Sequence, residues 1–248
     1  MRLAQIWRHP IKGVGAEALD RIELTPGHTL PLDRHWAIAQ EGTAFDEANP
    51  AWIPCRNFIR GAKSASLMAV MAQVDGDALT LSHPDLSTIS ANPNDPVDAT
   101  RIVDWIKPIY PDNRPAPERI VSVPGRGMTD SGFPSVAILS LTTLTALSQK
   151  VGRRLDPRRF RGNLWVEGSA PWEEFDWVGR ELCVGPARLK VEERITRCRA
   201  TEANPETGKR DTNTLQALAE GWGHEDFGVY ATVLHGGELA VGAELSVQ

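Results

Sequence analysis

A cysteine flanked by two arginines is the residue of this sequence best suited to chemistry. Cys198 lies between Arg197 and Arg199 in a polar, cationic segment. Positive charge near a thiol favours the thiolate, the form that attacks electrophiles or binds soft metals. A lone cysteine is usually a small inert core residue, but core cysteines have apolar neighbours, which Cys198 lacks. We therefore interpret Cys198 as a reactive thiol or a metal ligand.

The other two cysteines carry weaker signals. Cys183 lies in an alternating segment, residues 180–185, and is interpreted as structural, and for Cys55 the sequence predicts no role. Three widely spaced cysteines without a C-x-x-C pair are poor material for a disulfide framework or a structural zinc site. Cysteines of this number and spacing are typical of a protein in a reducing cytoplasm.

Five arginines fall within nine residues of the chain, at Arg153, Arg154, Arg158, Arg159 and Arg161. A run of charge is usually a solvated surface. The arginine fork also suits phosphate and carboxylate groups, and no lysine shares this cluster. Both interpretations remain open at this stage.

The composition excludes several classes of protein. The chain has 248 residues, of which 41% are hydrophobic and 24% charged, so general disorder is excluded. A net charge of −5 argues against nucleic acid as a partner. No apolar run approaches the roughly 18 residues that span a membrane, and the first ten residues lack signal-peptide features. We expect a globular cytoplasmic protein that binds neither nucleic acid nor membrane.

Short strands separated by turn residues dominate the pattern. Residues 21–25 and 35–39 are typical of strands, and a hairpin is predicted around Asp75-Gly76-Asp77, between residues 68–74 and 78–82. A second hairpin is predicted around Gly236-Gly237, between residues 228–235 and 239–247. This favours a mainly β protein, a barrel or paired sheets, over a doubly wound α/β fold. No glycine-rich phosphate loop follows a strand, so Walker and Rossmann sites have no support.

Helices and linkers are few. One helix is predicted from about Leu141 to Lys150, and a second over residues 214–220, capped by Asn213 or Thr214. Residues 90–127 are interrupted by seven prolines. We place a boundary near the end of this region, which gives a domain over residues 1–127 and another over residues 128–248.

Two motifs in the second half resemble a known family. Arg197-Cys198, Thr201 and the turn Asn204-Pro205-Glu206-Thr207-Gly208 resemble the cysteine loop of the MOSC superfamily, named for the molybdenum cofactor sulfurase C-terminal domain. Arg159-Phe160-Arg161-Gly162-Asn163 resembles the arginine-phenylalanine-arginine-x-asparagine motif of that family. Residues 226–230 and 239–242 match its closing strands.

The first half resembles the domain that accompanies MOSC in the amidoxime-reducing group. The residues that carry this similarity are Pro10-Ile11-Lys12-Gly13 and Leu32-Asp33-Arg34. The resemblance implies a mainly β fold with a few short helices, in which a β-rich N-terminal domain packs on a MOSC-type barrel.

The resemblance also implies a site. In the amidoxime-reducing members the motif cysteine ligates the molybdenum of a molybdopterin cofactor, a role that carries over to Cys198. The cofactor-binding role carries over to five further positions: Lys12, Arg34, Arg161, Asn163 and Thr201. A soft-metal centre with an anionic phosphate tail needs a thiolate and arginine forks, so the chemistry of these residues agrees.

The implied activity is a molybdenum-dependent oxidoreductase that reduces N-hydroxylated or N-oxide-like small molecules. Electrons are expected from an external carrier, a ferredoxin-like or haem protein with its reductase. Two alternatives remain: a sulfur-transfer protein in which Cys198 carries a persulfide, and a non-catalytic carrier of the cofactor. Gly13 stands where relatives often have serine, and Gly162 replaces a common proline. We expect neither a cysteine-rich ferredoxin-like extension nor a membrane-targeting segment, which leaves the electron supply open.

Overall fold

The computed structural model describes residues 1–248, and strands dominate it. Each of the three α-helices is short: α1 (Pro96–Ile106), α2 (Leu141–Val151) and α3 (Thr214–Trp222). The strands are β1 (Arg2–Arg8), β2 (Glu17–Leu19), β3 (Arg21–Leu24), β4 (Trp36–Gln40), β5 (Met71–Asp75), β6 (Ala78–His83), β7 (Leu86–Ala91), β8 (Pro117–Ser122), β9 (Val136–Ser140), β10 (Leu164–Glu167), β11 (Glu181–Val184), β12 (Ala187–Thr196), β13 (Asp226–His235), β14 (Gly237–Ala240) and β15 (Leu245–Val247). The expected mainly β fold is confirmed, and none of the helices is both long and apolar enough to cross a membrane.

One eight-stranded sheet organises the second half of the chain. Its strand order is β15-β11-β12-β13-β9-β10-β1-β2. Only β9 and β10 pair in parallel, and α2 makes the crossover between them, because parallel neighbours need a long connection. The sheet curls until β1 meets the segment before β15: Leu3 N donates to the Ala243 carbonyl and Gly242 N to the Leu3 carbonyl, each at 2.8 Å. This curl encloses the largest apolar core, 20 buried residues.

Three small sheets complete the structure: β4 with β8, β5-β6-β7, and β14 with β3. The first two, with α1, surround a second core of 15 buried residues, to which Ile11, Trp36, Leu79 and Ile102 belong.

The sheet and the largest core both cross residue 127, where the sequence predicts a domain boundary. Strands β1 and β2 lie in the eight-stranded sheet, and Leu3, Ile6 and Leu24 lie in its core. The predicted division at residue 127 stays a prediction. The first strand of the chain is nevertheless a structural part of the second half.

Local signals account for all three helix starts. Ser140 Oγ accepts from the amides of Thr142 and Thr143, and Asn213 Oδ1 accepts from Gln216 N. Both predicted helices are confirmed, the second with its predicted cap, Asn213. The sequence pattern does not predict the third helix, α1. Its cap is Asp95, with Pro96 at the first helical position, a start signal hidden among the prolines of residues 90–127.

The two predicted hairpins have different outcomes. β5 and β6 pair around Asp75-Gly76-Asp77 as predicted, although Met68 and Ala69 belong to a 3-10 turn that precedes β5. The hairpin at Gly236-Gly237 is wrong: β14 pairs with β3, and β15 pairs with β11. The reason is that β13 already pairs with β12 on one side and with β9 on the other, so it has no free edge.

Candidate functional site

A cavity of about 270 Å³ lies between segments from the two ends of the chain. Its walls come from residues 12–13, 34, 55, 60–62 and 68 on one side and from residues 130, 137, 159–161, 195–198, 200–201 and 230 on the other. Six cationic side chains line it: Lys12, Arg34, Arg60, Arg159, Arg161 and Arg197. Asp130 is the one carboxylate among its lining residues. The cavity is therefore built for an anion.

Cys198 lies at the mouth of this cavity. It follows the last residue of β12 by two positions and caps a 3-10 turn, Arg199–Glu202, without a hydrogen bond from its side chain to the turn. The Cys198 carbonyl accepts from Thr201 N at 3.2 Å and from Thr201 Oγ1 at 3.0 Å. The side chain is solvent-exposed. A rigid turn thus presents an accessible thiol to the cation-rich space.

Thr201, predicted to bind the cofactor, lines the cavity, but its hydroxyl has structural partners. Besides the Cys198 carbonyl, Thr201 Oγ1 lies 2.6 Å from Thr214 Oγ1 at the start of α3. Through these two contacts the hydroxyl holds the cysteine turn against α3.

The loop after Cys198 is tight, as its turn residues predict. Asn204 N donates to the Lys209 carbonyl, and Gly208 N donates to the Asn204 carbonyl. Gly208 has φ +65°, and a Cβ there would lie 2.8 Å from Ser66 Cα. Glycine is required at this position because the loop packs directly on a segment of the first half.

Arg161 connects the arginine motif to the first half of the chain. Its backbone is left-handed, φ +48°, which turns the guanidinium toward the N-terminal segment. Arg161 Nη1 donates to the Gly15 carbonyl at 2.8 Å, and Nη2 to the Ile11 carbonyl at 3.1 Å. Burial, together with the nearby Arg34 guanidinium, lowers the pKa of Arg161 to about 9.

Lys12 and Arg34 both reach the cavity and both have carboxylate partners. Lys12 is 4% exposed, and its Nζ donates to the Met128 carbonyl at 2.7 Å and to Asp130 Oδ1 at 2.5 Å. Arg34 pairs with Asp33 through Nη1 and donates to the Arg161 carbonyl from Nη2 at 2.7 Å. Burial lowers the pKa of Lys12. Both residues predicted from the N-terminal motifs therefore reach the cavity wall.

Asn163 is not among the residues that line the cavity. Its Oδ1 accepts from Ala137 N at 3.0 Å, and its Nδ2 donates to the Trp7 carbonyl at 3.1 Å. Its side chain is 1% exposed. The amide joins β1, β9 and the start of β10, so the structure shows Asn163 in strand pairing and does not bring it to the predicted cofactor site.

Several lining residues carry no prediction from the sequence. Arg197 lies near the Phe160 and Phe227 rings and donates to the carbonyls of the same two residues. Burial lowers its pKa to about 10. Cys55 and Arg60 enter from the first half, and Arg60 Nη1 lies 2.8 Å from Cys55 Sγ. Adjacency to Cys198 points to Arg197, whereas no local signal points to the other two.

Tyr230 also lines the cavity, from strand β13. Burial, with the Asp130 carboxylate nearby, raises the pKa of Tyr230 to about 12. Its hydroxyl makes no hydrogen bond to the protein, so it presents a bound proton to the cavity at neutral pH.

The charges of the cavity are only partly balanced. Lys12, Arg34 and Arg159 pair with Asp130, Asp33 and Asp211 respectively. The other three cations form no ion pair: Arg60, Arg161 and Arg197. Enclosed guanidinium groups without counter-ions are costly, and an anionic ligand would remove that cost. An accessible thiol beside surplus positive charge fits a soft-metal cofactor with an anionic tail.

The arginine cluster of residues 153–161 is mostly engaged within the molecule. Arg153 and Arg159 both pair with Asp211, and Arg158 pairs with Asp156. Arg154 is exposed and forms no ion pair. A polar groove of about 940 Å³ runs beside α2 and shares Arg159 with the cavity.

Comparisons with known proteins give the chain relatives of two kinds. A 92-residue segment is 38% identical to Molybdenum cofactor sulfurase of Anopheles gambiae, which covers 36% of this chain and only 12% of that protein. Mitochondrial amidoxime-reducing component 1 of Mus musculus is 22% identical over 246 residues, covering 84% of this chain and 67% of that protein.

Two solved structures and two family models also match the chain. The YuaD protein of Bacillus subtilis superposes with a TM-score of 0.48 at 12% identity, covering 99% of this chain and 94% of that one. YiiM of Geobacillus stearothermophilus gives a TM-score of 0.35 at 18% identity over 46% of this chain and 53% of its own. Residues 1–107 match the MOSC N-terminal beta barrel domain, and residues 134–246 match the MOSC domain. Together these two matches account for most of the chain, which therefore belongs to the MOSC family.

Proposed function

We propose that this chain is a molybdenum-cofactor-dependent oxidoreductase that reduces N-hydroxylated compounds with electrons from an external carrier. The observation that carries the proposal is the exposed Cys198 thiol at a cavity in which two guanidinium groups, those of Arg161 and Arg197, have no carboxylate partner. The match to the mouse amidoxime-reducing component along most of the chain supports the reaction class. We include a cytoplasmic location in the proposal, because a reducing compartment keeps the Cys198 thiol reduced.

The residues of the cavity have distinct roles in this proposal. Cys198 would supply the thiolate ligand, and Lys12, Arg34 and Arg161 would face the anionic pterin and its phosphate. The bound cofactor supplies the two-electron chemistry, while the protein supplies ligation, orientation and electrostatics. Arg197 adds positive charge behind Cys198, where its planar group lies near two phenylalanine rings.

Reduction of an N–OH group to N–H releases water and consumes two protons. Tyr230 Oη retains its proton at neutral pH and lines the cavity, so we assign it a hydrogen bond to the substrate oxygen that leaves as water. Asp130 is occupied by Lys12 and remains ionised: burial alone would raise its pKa, but the Lys12 ammonium and two arginines lower it.

The test is metal and cofactor analysis of protein made in a host that synthesises the cofactor. We expect close to one molybdenum per chain, together with one pterin, and reduction of an amidoxime by chemically reduced viologen. Protein that lacks molybdenum, purified from a host whose cofactor synthesis is verified, would contradict the proposal.

A second candidate is sulfur transfer through a Cys198 persulfide. The observation that favours it is the 38% identity to an insect molybdenum cofactor sulfurase, which is higher than the identity to the reductase although it covers a shorter segment. Cyanide-releasable sulfur that depends on Cys198, in protein without molybdenum, would favour this candidate. Loss of that sulfur in Cys183→Ser instead would contradict it.

A further inference from the structure

Arg60 differs from the other five cations of the cavity in its hydrogen bonds. The other five each donate to at least one protein oxygen, whereas the one acceptor of Arg60 is the Cys55 sulfur. Arg60 Nε is buried and has no partner, and Nη2 makes no hydrogen bond to the protein. Nε and Nη2 form one edge of the guanidinium, the edge that binds a carboxylate with two parallel hydrogen bonds.

The backbone around Arg60 is fixed on both sides by glycines. A Cβ on Gly13 would lie 2.8 Å from Arg60 Cα, and a Cβ on Gly61 would lie 2.4 Å from Met68 Sδ. The Arg60 carbonyl accepts from the amides of Lys63 and Ser64. A side chain would clash at both glycines, and Gly13 directly follows Lys12. The close packing that the glycines permit brings the Arg60 backbone to the cavity wall.

Cys55 fixes the side chain of Arg60. It begins a 3-10 turn, Cys55–Asn57, and this turn is closed by hydrogen bonds from Asn57 N and Asn57 Nδ2 to the Pro54 carbonyl. Because its sulfur occupies Nη1, the Nε–Nη2 edge is left for a ligand. Cys55 is in this view a positioning residue, which explains a cysteine that the sequence leaves without a role.

Arg60 lies between the cysteine turn and the segment that carries Lys12. A Cβ on Gly61 would lie 3.4 Å from Ala200 Cβ, and Ala200 is two residues after Cys198. On its other side, Arg60 Cα faces Gly13, the residue after Lys12. Lys12 pairs with Asp130, and Arg34 pairs with Asp33 and donates to the Arg161 carbonyl, whereas Arg60 makes none of these contacts.

We propose that Arg60 is a substrate-anchoring residue and that the substrates of this chain are N-hydroxylated compounds that also carry a carboxylate. This inference rests on the proposed function for the N-hydroxyl part of the substrate. The carboxylate part rests on the free edge of Arg60 alone, so the two can fail separately.

The test is calorimetric binding of two probes, benzamidoxime and 4-carboxybenzamidoxime, to the purified chain. In Arg60→Gln we expect affinity for the carboxylate probe to fall about ten- to a hundredfold, the loss for a charge-assisted pair, with affinity for benzamidoxime unchanged. Cys55→Ala removes the acceptor of Nη1 and should weaken binding of the carboxylate probe about two- to tenfold. Arg56→Gln, an exposed arginine of the same turn, is the matched control and should change neither affinity.

Three results would overturn the proposal. One is an equal loss of both probes in Arg60→Gln, and another is a loss of bound molybdenum and pterin in that variant, which would assign Arg60 to the cofactor. The third is a larger loss for inorganic phosphate than for the carboxylate probe. If Arg60→Gln does not fold, Arg60→Lys replaces it in the same measurements, because lysine keeps the positive charge but lacks the two parallel N–H donors of the guanidinium. Absence of turnover with every electron donor, while selectivity for the carboxylate probe persists, would contradict the proposed reductase and leave the anion site in place.

Discussion

Arg161 Nη1 donates to the Gly15 carbonyl at 2.8 Å, so the arginine of the second-half motif is bonded to the backbone three residues after Lys12. The two motifs by which the sequence resembles a cofactor site are thus joined by hydrogen bonds before any ligand enters. Arg161 serves the cavity twice, as a source of positive charge and as a link between its two walls.

Replacing Arg161 should therefore affect both stability and cofactor content. Arg161→Ala loses its hydrogen bonds to Gly15 and Ile11, and we expect the free energy of unfolding to fall by about 2 kcal/mol. Cofactor retention should fall about tenfold or more. Arg153→Ala, which removes an exposed ion pair to Asp211, is the control and should cost less than about 1 kcal/mol and no cofactor. Urea unfolding and molybdenum analysis measure the two effects, and equal small losses in both variants would contradict the assignment.

Cys198→Ser should abolish turnover and leave the fold intact. The thiol is exposed, so its loss creates no cavity, while a serine hydroxyl is a harder ligand that stays protonated at neutral pH. Cys183→Ser is the control, because Cys183 lies on β11 away from the cavity lining. Activity with reduced viologen and circular dichroism check the pair. Full activity in Cys198→Ser, with loss in folded Cys183→Ser, would show that we have named the wrong cysteine.

Gly13→Ala should be more destabilising than Gly27→Ala, although both glycines have φ +72°. The backbone angle makes alanine equally costly at both positions. A Cβ at Gly13 would also lie 2.8 Å from Arg60 Cα, whereas a Cβ at Gly27 would meet no other atom. The additional loss should be about 1–3 kcal/mol in the free energy of unfolding. Paired thermal unfolding curves measure it, and equal losses would show that Gly13 is needed for its backbone angle alone.

Glu174 should make stability depend on pH. Burial raises its pKa to about 7, and Thr143 Oγ1 is its one side-chain partner, at 2.8 Å. The unfolded chain ionises this carboxyl near pH 4.5, so its contribution to stability is complete below that pH and is lost as pH rises through about 7. The free energy of unfolding of Glu174→Gln should then exceed that of the parent by a few kcal/mol at pH 8, about 1.4 kcal/mol for each unit of the pKa shift. At pH 4 the two proteins should be equally stable.

The matched control for Glu174 is Asp176→Asn, an exposed carboxylate in the same 3-10 turn, Glu173–Trp177. The measurement is the urea unfolding midpoint of the parent and of both variants, each at pH 4 and pH 8. A difference between parent and Glu174→Gln that does not grow between these pH values would contradict the expectation.

An external electron donor should be required for turnover. The chain has three cysteines; Cys55 and Cys198 line the cavity, and Cys183 lies on β11, so no four-thiolate iron–sulfur site of the usual kind can form. Reduced viologen should support reduction of an amidoxime, and NADH or NADPH alone should not. Turnover with a nicotinamide cofactor alone would contradict this. Addition of a reductase and an acidic carrier should restore activity in a salt-sensitive manner.

The parts of the site that the sequence predicts are those encoded locally. The cysteine turn after Cys198 is readable because its turn residues and its flanking charges lie within about ten residues. Lys12 and Arg34 are reached only through the resemblance to a family, since a single charged residue carries no sign of burial. The cofactor-binding role of Asn163 stays a prediction, and its amide is bonded to backbone groups of β1 and β9.

Long-range packing accounts for what could not be predicted. Arg60 and Cys55 reach the cavity because Gly13 and Gly61 permit close approach of segments that lie far apart in the chain, and neither glycine differs locally from a turn glycine. The failure at Gly236-Gly237 has a similar origin. The two flanking segments satisfy every local rule for a hairpin, but both edges of β13 are taken by distant strands.

The position of β1 in the large sheet has a consequence for aggregation. β1 covers one side of β10, whose residues Leu164, Trp165 and Val166 are all buried. A fragment that began at residue 128 would lose that cover and expose a row of unpaired amides and carbonyls along an apolar strand. Such an edge is a template for pairing with another chain. By closing this edge with its first strand, the N-terminal segment removes that template from the sheet as well as completing the cavity.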